Sequence, residues 1–384
     1  MTLEQQVANL VSATTELTDV VNGELGLVRS ENTTFKTSTL ASLETIVTTK
    51  VRSSGFTVYV NPSSGSSNPT NPIDNISAPF NTIANAVAFL SNYYWAGDYT
   101  TIKLSAGDHI VSGTINIKHS CDIKIEGASA PDFSGVASIV SQTTSSNRSS
   151  SSSTTGSNAN LFNHLQSIFQ SSIVIADGGS IILDNTNFCL FYCLVYAQNK
   201  TSLNKDGIAL FRGARCVIRD SAFMYFNNAI SAYTNHLLLD GIVLLSASNQ
   251  GLLNYGSVIN TSTGSVVYLS GNVSYGLYSV MGSIYSLASI RSYGNSGHGL
   301  YLYAGNLISS IALIAVSNGG CGFYSVYGEI TAPNCVSQNN SQYGYRSDGG
   351  LIKVVGSDAA TTGNILGKKL ENNNQQGFVV GVSV

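Results

Sequence analysis

The second half of the chain repeats a small residue followed by an apolar one: Gly207-Ile208, Ala229-Ile230, Gly251-Leu252, Gly276-Leu277, Gly299-Leu300, Gly322-Phe323, Gly344-Tyr345 and Gly377-Phe378. The intervals are 22, 22, 25, 23, 23, 22 and 33 residues. Six positions after the small residue stands a turn former (Gly213, Asn235, Gly282, Gly305, Gly328 and Gly350, with Gly256 one place early). Eight positions after it stands an apolar residue (Leu237, Ile259, Ile284, Leu307, Ile330 and Ile352), with Arg215 as the departure. Short apolar alternations broken at fixed places by turn formers predict strands and tight turns.

Four positions before the small residue, Asn272, Asn295, Asn318, Asn340 and Asn373 recur. Stacked one strand spacing apart, such amides can each donate to the next carbonyl and form a ladder. A unit this short buries its apolar side only against its neighbours. The pattern therefore predicts an all-β fold, a parallel β-helix with about 22–23 residues per coil. A leucine-rich horseshoe has a similar period, but its L-x-x-L-x-L signature is missing and no repeat holds a helical stretch. The final long interval reads as one turn lengthened by TTGNILGKK. At roughly 4.8 Å per coil, about a dozen coils would make a rod on the order of 55 Å long.

Residues 1–54 follow a different period. Leu3, Val7, Leu10, Thr14, Leu17 and Val21 alternate at spacings of four and three, the a/d stripe of a coiled coil. Asn22-Gly23 and Gly26 are expected to interrupt it before a second stripe at Leu40, Leu43 and Val47. So narrow a stripe suits a seam between identical helices, with Leu3, Val7, Leu10, Leu17 and Val21 as oligomerisation positions. The alternative is an amphipathic helix folded on the body of the same chain.

The body, residues 55–384, opens with a strand at Phe56, Val58 and Val60, followed by a Gly/Ser/Asn/Pro loop. Pro79-Phe80 leads into Ile83, Ala84, Val87, Ala88 and Leu90, apolar at helical spacing to about Tyr93. This segment, 56–94, is expected to cap the coils that occupy about 100–384, since an open coil exposes unpaired backbone. Next come three alternating strands divided by Ala106-Gly107-Asp108, Gly113 and His119-Ser120. Ser/Thr-rich residues 141–160 read as an exposed inserted loop.

Composition narrows the function. The chain has 37 Gly, 20 Tyr, 10% charged residues and net charge −3. Nothing resembles the basic footprint of a nucleic-acid binder. No run of 18 apolar residues predicts a membrane span, and the N-terminus has no signal-like pattern. Cys121, Cys189, Cys193, Cys216, Cys321 and Cys335 form no CxxC pair and no metal-ligand spacing, so no metal and no cofactor is expected. Buried thiols made in a reducing cytoplasm fit this usage.

The entry segment resembles that of pectin-lyase-like β-helix proteins, through Pro79, Phe80, Thr82, Ile83, Ala86, Gly107, His109 and Gly127. With the stalk and the Asn-bearing coils, the whole architecture resembles bacteriophage tailspikes and tail fibres, although only residues 56–127 carry a sequence signature. The resemblance implies a right-handed β-helix and a homotrimer. It also implies a virion component, made in the host cytoplasm, joined to tail or baseplate proteins by its N-terminus and meeting host surface polysaccharide. Larger members end in a trimerisation domain. Here the last residues read as coil, so either the stalk and the coil faces hold the trimer or such a domain belongs to a longer chain.

Some such proteins cut the polysaccharide they bind, as depolymerases of O-antigen or capsule. Hydrolysis needs two carboxyls about 5–5.5 Å apart for retention or about 6.5–9.5 Å for inversion. Between Asp240 and Glu329 the chain has no acid. The candidate pairs are Asp220 with Asp240, which Arg219 would make unequal, and Glu329 with Asp348. The plainer reading of Asp220 and Asp240 is turn residues. A lyase base at His236 or His298 is a further option. In the acid-free coils Tyr278, Tyr301 and Tyr324 fall in the outward phase, with Tyr255, Tyr303 and Tyr327 nearby. Such a row suits sugar binding or a trimer interface equally. The leading expectation is adhesion to host polysaccharide; depolymerisation and a purely structural fibre or baseplate role are the alternatives.

Overall fold

The computed structural model describes residues 2–52, 55–95, 99–118, 122–144, 157–176, 179–198, 205–355, 362–372 and 378–380. It divides into two units, Met1–Ser53 with Tyr93–Ala96, and Ser54–Asn92 with Gly97–Val384. The first is dominated by helix α1, Leu3–Lys50. It runs unbroken through Asn22, Gly23 and Gly26, against the expected interruption. An isolated Gly costs a helix only about 1 kcal/mol relative to Ala, too little to break a run this long. The apolar spacing also persists there, since Leu25 and Val28 follow Val21 at four and three residues. Thr14, Thr15, Thr18, Thr33, Thr34 and Thr37 each return their hydroxyl to the carbonyl four residues earlier. Leu3, Val7, Leu10, Leu17 and Val21 are all exposed on the single chain. No helix among the described residues is long and apolar enough to cross a membrane.

The second unit is a parallel β-helix. One 19-stranded sheet bends along its length, and a separate 10-stranded sheet closes the coil. The bent sheet supplies faces I and II, the other face III, and each coil runs III, I, II. One coil illustrates the order: Ile208–Phe211 on face III, then Arg215–Phe226 bending from face I into face II, then Ile230–Tyr233 back on face III. The strand ladders between coils described here are parallel, and the one between Arg215–Phe226 and His236–Ala247 shifts register after Arg219 and after Met224. The expected apolar positions fill the bore: Leu277, Leu300, Phe323 and Tyr345 stack on face III, and Leu237, Ile259, Ile284, Leu307, Ile330 and Ile352 on face I.

Corners are where backbone strain collects. From face III to face I the fifth residue after the small residue is left-handed: Arg212 (φ 51°, with Gly213 at 81° beside it), Thr234 (56°), Met281 (53°), Ala304 (52°) and Tyr327 (54°). The glycine that follows answers to packing. A Cβ on Gly305 or Gly328 would stand 2.7 or 2.5 Å from the carbonyl oxygen of Gly282 or Gly305 on the preceding coil. Gly256 (φ 66°) therefore is not early, because it occupies the left-handed place itself.

From face II to face III, Gly271, Gly294, Ser317, Asn339 and Gly363 are left-handed, and each precedes an asparagine turned into the bore. Asn272, Asn295 and Asn318 donate from both backbone N and Nδ2 to Oδ1 of the next asparagine at 2.8–3.2 Å. Asn340 does the same to Asn364 at 3.0 and 2.9 Å. The fifth ladder place thus belongs to Asn364, and Asn373 lies outside the described residues. The last repeat was misphased for the same reason. Lys369 pairs with Tyr345 on face III, whereas Phe378 pairs with Leu351 on face I.

Helix α2, Ile83–Leu90, begins at the Thr82 N-cap, whose hydroxyl accepts from Asn85 N, and ends three residues short of Tyr93. It buries Ile83, Ala86 and Leu90 against Thr57–Val60 and Gly107–Ser112. Gly107 and His109 belong to that strand rather than to a turn, and His119-Ser120 lie outside the described residues. The Ser/Thr-rich insertion is more than a loop. Residues 145–156 lie outside the described set, but α3 (Val136–Ser141) and α4 (Ser157–Ile168) flank them. Val136, Val140, Leu161, Phe162 and Leu165 pack on Ala222, Met224, Leu244, Tyr268 and Tyr293 of face II. Among the described residues this helical cover lies on face II. Cys189, Cys193, Cys216, Cys321 and Cys335 are free and buried, while Cys121 is not described.

Candidate functional site

Parallel register places equivalent residues of successive coils one strand spacing apart, which is also the distance at which aromatic rings stack. On the outer side of face III this builds three columns. In the first, Tyr278, Tyr301 and Tyr324 stack at 5.2 and 4.9 Å between centroids, within 16° and 13° of parallel. Arg346 continues it, its guanidinium 4.6 Å from the Tyr324 ring centre. In the second, two residues along each strand, Phe211 stacks on Tyr233 at 5.1 Å, and Tyr255, Val280 and Tyr303 follow in register. Tyr327, at the corner, meets Tyr303 edge-on at 6.1 Å. In the third, at the turn before the strand, Tyr275 stacks on His298 at 5.4 Å.

This geometry revises what the tyrosines can offer. The flat faces of Tyr278, Tyr301 and Tyr324 are spent on one another, so this half-buried column presents ring edges and hydroxyls. The more open rings belong to the second column and the corner, where Tyr255, Tyr303 and Tyr327 are 45, 41 and 55% exposed. Burial, the largest cause, raises the pKa of Tyr278, Tyr301 and Tyr324, so their hydroxyls stay neutral donors. Tyr324 donates to Asp348 Oδ2, and Arg346 Nη2 and Nε contact the same oxygen at 2.9 and 3.1 Å. Asp348 Oδ1 is buried with no partner among the described residues.

His298, in the third column, also meets the first edge-on, its ring 4.8 Å from Tyr324 and 5.5 Å from Tyr301. Burial first and the Arg346 charge second push its pKa down to about 4. Its Nδ1 accepts from the Cys321 backbone N at 2.8 Å. A backbone N–H can only donate, so the neutral ring carries its proton on Nε2. His298 is therefore a fixed donor at neutral pH, with no lone pair free to act as the base considered above. His236 lies on face I and is exposed.

The carboxylates are engaged in the scaffold. Asp220 is left-handed (φ 45°) at the corner from face I to face II, and its Oδ1 accepts from Ile242 N at 2.8 Å. Asp240 stands opposite Arg219 rather than Asp220. It accepts from Arg219 Nε at 2.6 Å and from Gly241 N at 3.0 Å. Burial opposes its ionisation, but hydrogen bonds from Arg219 and Ser262 outweigh that and hold its carboxyl below the usual range. An acid so held is unsuited to donating a proton. Glu329 opens a face I strand and accepts from Thr331, whereas Asp348 closes a face III strand, so the two serve different faces. Among the described residues no three His, Cys, Asp or Glu side chains gather to hold a metal ion.

Phe211, Tyr233, Tyr275 and Arg346 belong to this face and were not among the residues singled out by sequence. The signal was present: Phe211, Tyr233, Tyr255 and Tyr303 all stand four places after the small residue. No protein-family model and no curated protein matches the chain. Among solved structures, the A-module of the Azotobacter vinelandii mannuronan C-5 epimerase AlgE6 is similar over 71% of this chain and 90% of that one, at 12% identity and a TM-score of 0.23. A likeness at that level carries no argument about this chain.

Proposed function

We propose that this chain is a trimeric receptor-binding fibre of the bacteriophage tail class that adheres to host surface polysaccharide through face III. The observation that carries the reading is the aromatic surface: three columns of rings and hydroxyls on one face. Continuous exposed aromatic patches mark interaction surfaces. Repetition at one strand spacing suits an extended polymer better than a compact ligand. Neutral tyrosine hydroxyls and the fixed Nε2–H of His298 supply donors for sugar oxygens, and the open rings of Tyr303 and Tyr327 supply apolar surface for sugar rings. The α1 stripe supports a trimer aligned by its N-terminal helices, and the resemblance of the stalk and capped coils to tail fibres supports attachment to the virion at that end.

The test is to incubate the protein with intact host surface polysaccharide and follow both by size-exclusion chromatography. Adhesion predicts co-migration with polymer length unchanged. Shortened chains would favour a depolymerase instead, and absence of any association would favour a structural fibre component.

A further inference from the structure

Face I carries a groove of about 300 Å³ that the reading above does not use. Its residues come from consecutive strands: Arg215 lies opposite His236, and Val217, Leu238 and Asn260 follow one another in register. Alternation turns them outward, while Cys216, Leu237 and Ile259 fill the bore beneath. Val217 and Leu238 form a half-buried aliphatic floor and Tyr99 lines one side. Arg215, His236 and Asn260 are exposed polar groups at the groove.

The charges here are uneven. Arg212, Arg219 and Arg346 each pair with a carboxylate. Arg215 forms no ion pair among the described residues. Asp122, whose charge reaches Tyr99, accepts from the Asn187 amide at 3.0 Å. A guanidinium left without a carboxylate at the mouth of a small groove matches an anion bidentately. An apolar floor and an aromatic side match the less polar faces of a sugar ring, and an amide and an imidazole match its hydroxyls.

We infer that this groove binds one anionic sugar unit, its carboxylate or phosphate on Arg215 and its ring over Val217 and Leu238 against Tyr99. The inference deepens the polysaccharide reading by naming a chemical class of host glycan, one that bears acidic residues. It rests on that reading for its biology, and on face I rather than face III for its geometry.

The full-length protein is titrated with glucuronate, glucose 6-phosphate and glucose, followed by saturation-transfer NMR. At least one of the two anions should bind about tenfold or more tightly than glucose, and Arg215→Gln should remove that advantage, as expected for loss of a charge-assisted bidentate contact. Tyr301→Ala should leave it intact. Circular dichroism checks that the Arg215→Gln coils are folded; should they not be, Asn260→Ala, at an exposed position, must weaken the preferred sugar. Equal binding of all three sugars, or an undiminished preference in Arg215→Gln, would overturn the inference. Failure of polymer adhesion with the monosaccharide preference preserved would instead count against the face III reading alone.

Discussion

Asn318 shows how much a single side chain does in this fold. Its Oδ1 accepts from both the backbone N and the Nδ2 of Asn295, and its own Nδ2 and N donate onward to Asn340. Asn318→Ala strands the buried backbone N–H of Asn295 on the preceding coil, at a cost of about 1–3 kcal/mol, while Asn295 Nδ2 keeps Leu269 O and Ser292 Oγ as acceptors. Chemical denaturation should show a loss of that order, with no change in the fold of the variant that survives. His298 supplies a second prediction at this scale. Its folded pKa, about 4, lies below the ordinary 6.5, so the unfolded chain binds more protons between those values. Stability is complete above pH 6.5 and falls as the pH drops toward 4, by a few kcal/mol at most for a shift of this size. Comparing urea midpoints of the wild type and His298→Gln across that window isolates the contribution; identical slopes would show that His298 does not titrate there.

At the scale of elements, glycines separate into two kinds. Gly23 and Gly26 sit in α1 with nothing near a built Cβ. Gly26→Ala should stabilise the stalk by about 0.5–1 kcal/mol through helix propensity alone, read as a higher melting temperature. Gly328→Ala should do the reverse, because its Cβ would stand 2.5 Å from the carbonyl oxygen of Gly305 and force two coils apart. A cost of about 1–3 kcal/mol or more is expected from overpacking. The sequence marked both glycines as turn or break signals without distinguishing these reasons, because coil-to-coil approach is visible only once the register is known. The same gap explains why the turn-forming glycines stand beside the left-handed corner residues Met281, Ala304 and Tyr327 rather than at that place themselves. Non-glycine residues there give no local signal, and the glycine beside them drew the assignment.

For the whole molecule, periodicity carried most of the architecture. Apolar residues eight places after the small residue, and asparagines four before it, identified the parallel coils because every coil must satisfy the same bore. Where the period was disturbed the reading slipped, as at Phe378 and Asn373, since an insertion hides which face a strand belongs to. The α3–α4 cover on face II was also missed, because Leu161, Phe162 and Leu165 were masked by the Ser/Thr-rich stretch before them. Of the candidate site, the outward tyrosines were legible from alternation. Their mutual stacking and the tautomer of His298 were not, as both depend on contacts between coils. The proposed trimer belongs to this scale too. If α1 forms its seam, Leu10→Asp with Leu17→Asp should give monomers in sedimentation equilibrium, since charges at the same core position of two successive heptads are incompatible with a helical seam.

Adhesion through face III is tested most directly by co-chromatography of host surface polysaccharide with the wild type and with a Tyr303→Ala/Tyr327→Ala variant. These two residues are exposed and outside the bore, so the variant should keep its β-rich circular dichroism spectrum and its melting temperature. The account predicts that the wild type migrates with polymer of unchanged length, and that the variant loses at least about tenfold in affinity, a typical effect of removing two aromatic anchors. Undiminished binding by the folded variant would contradict it.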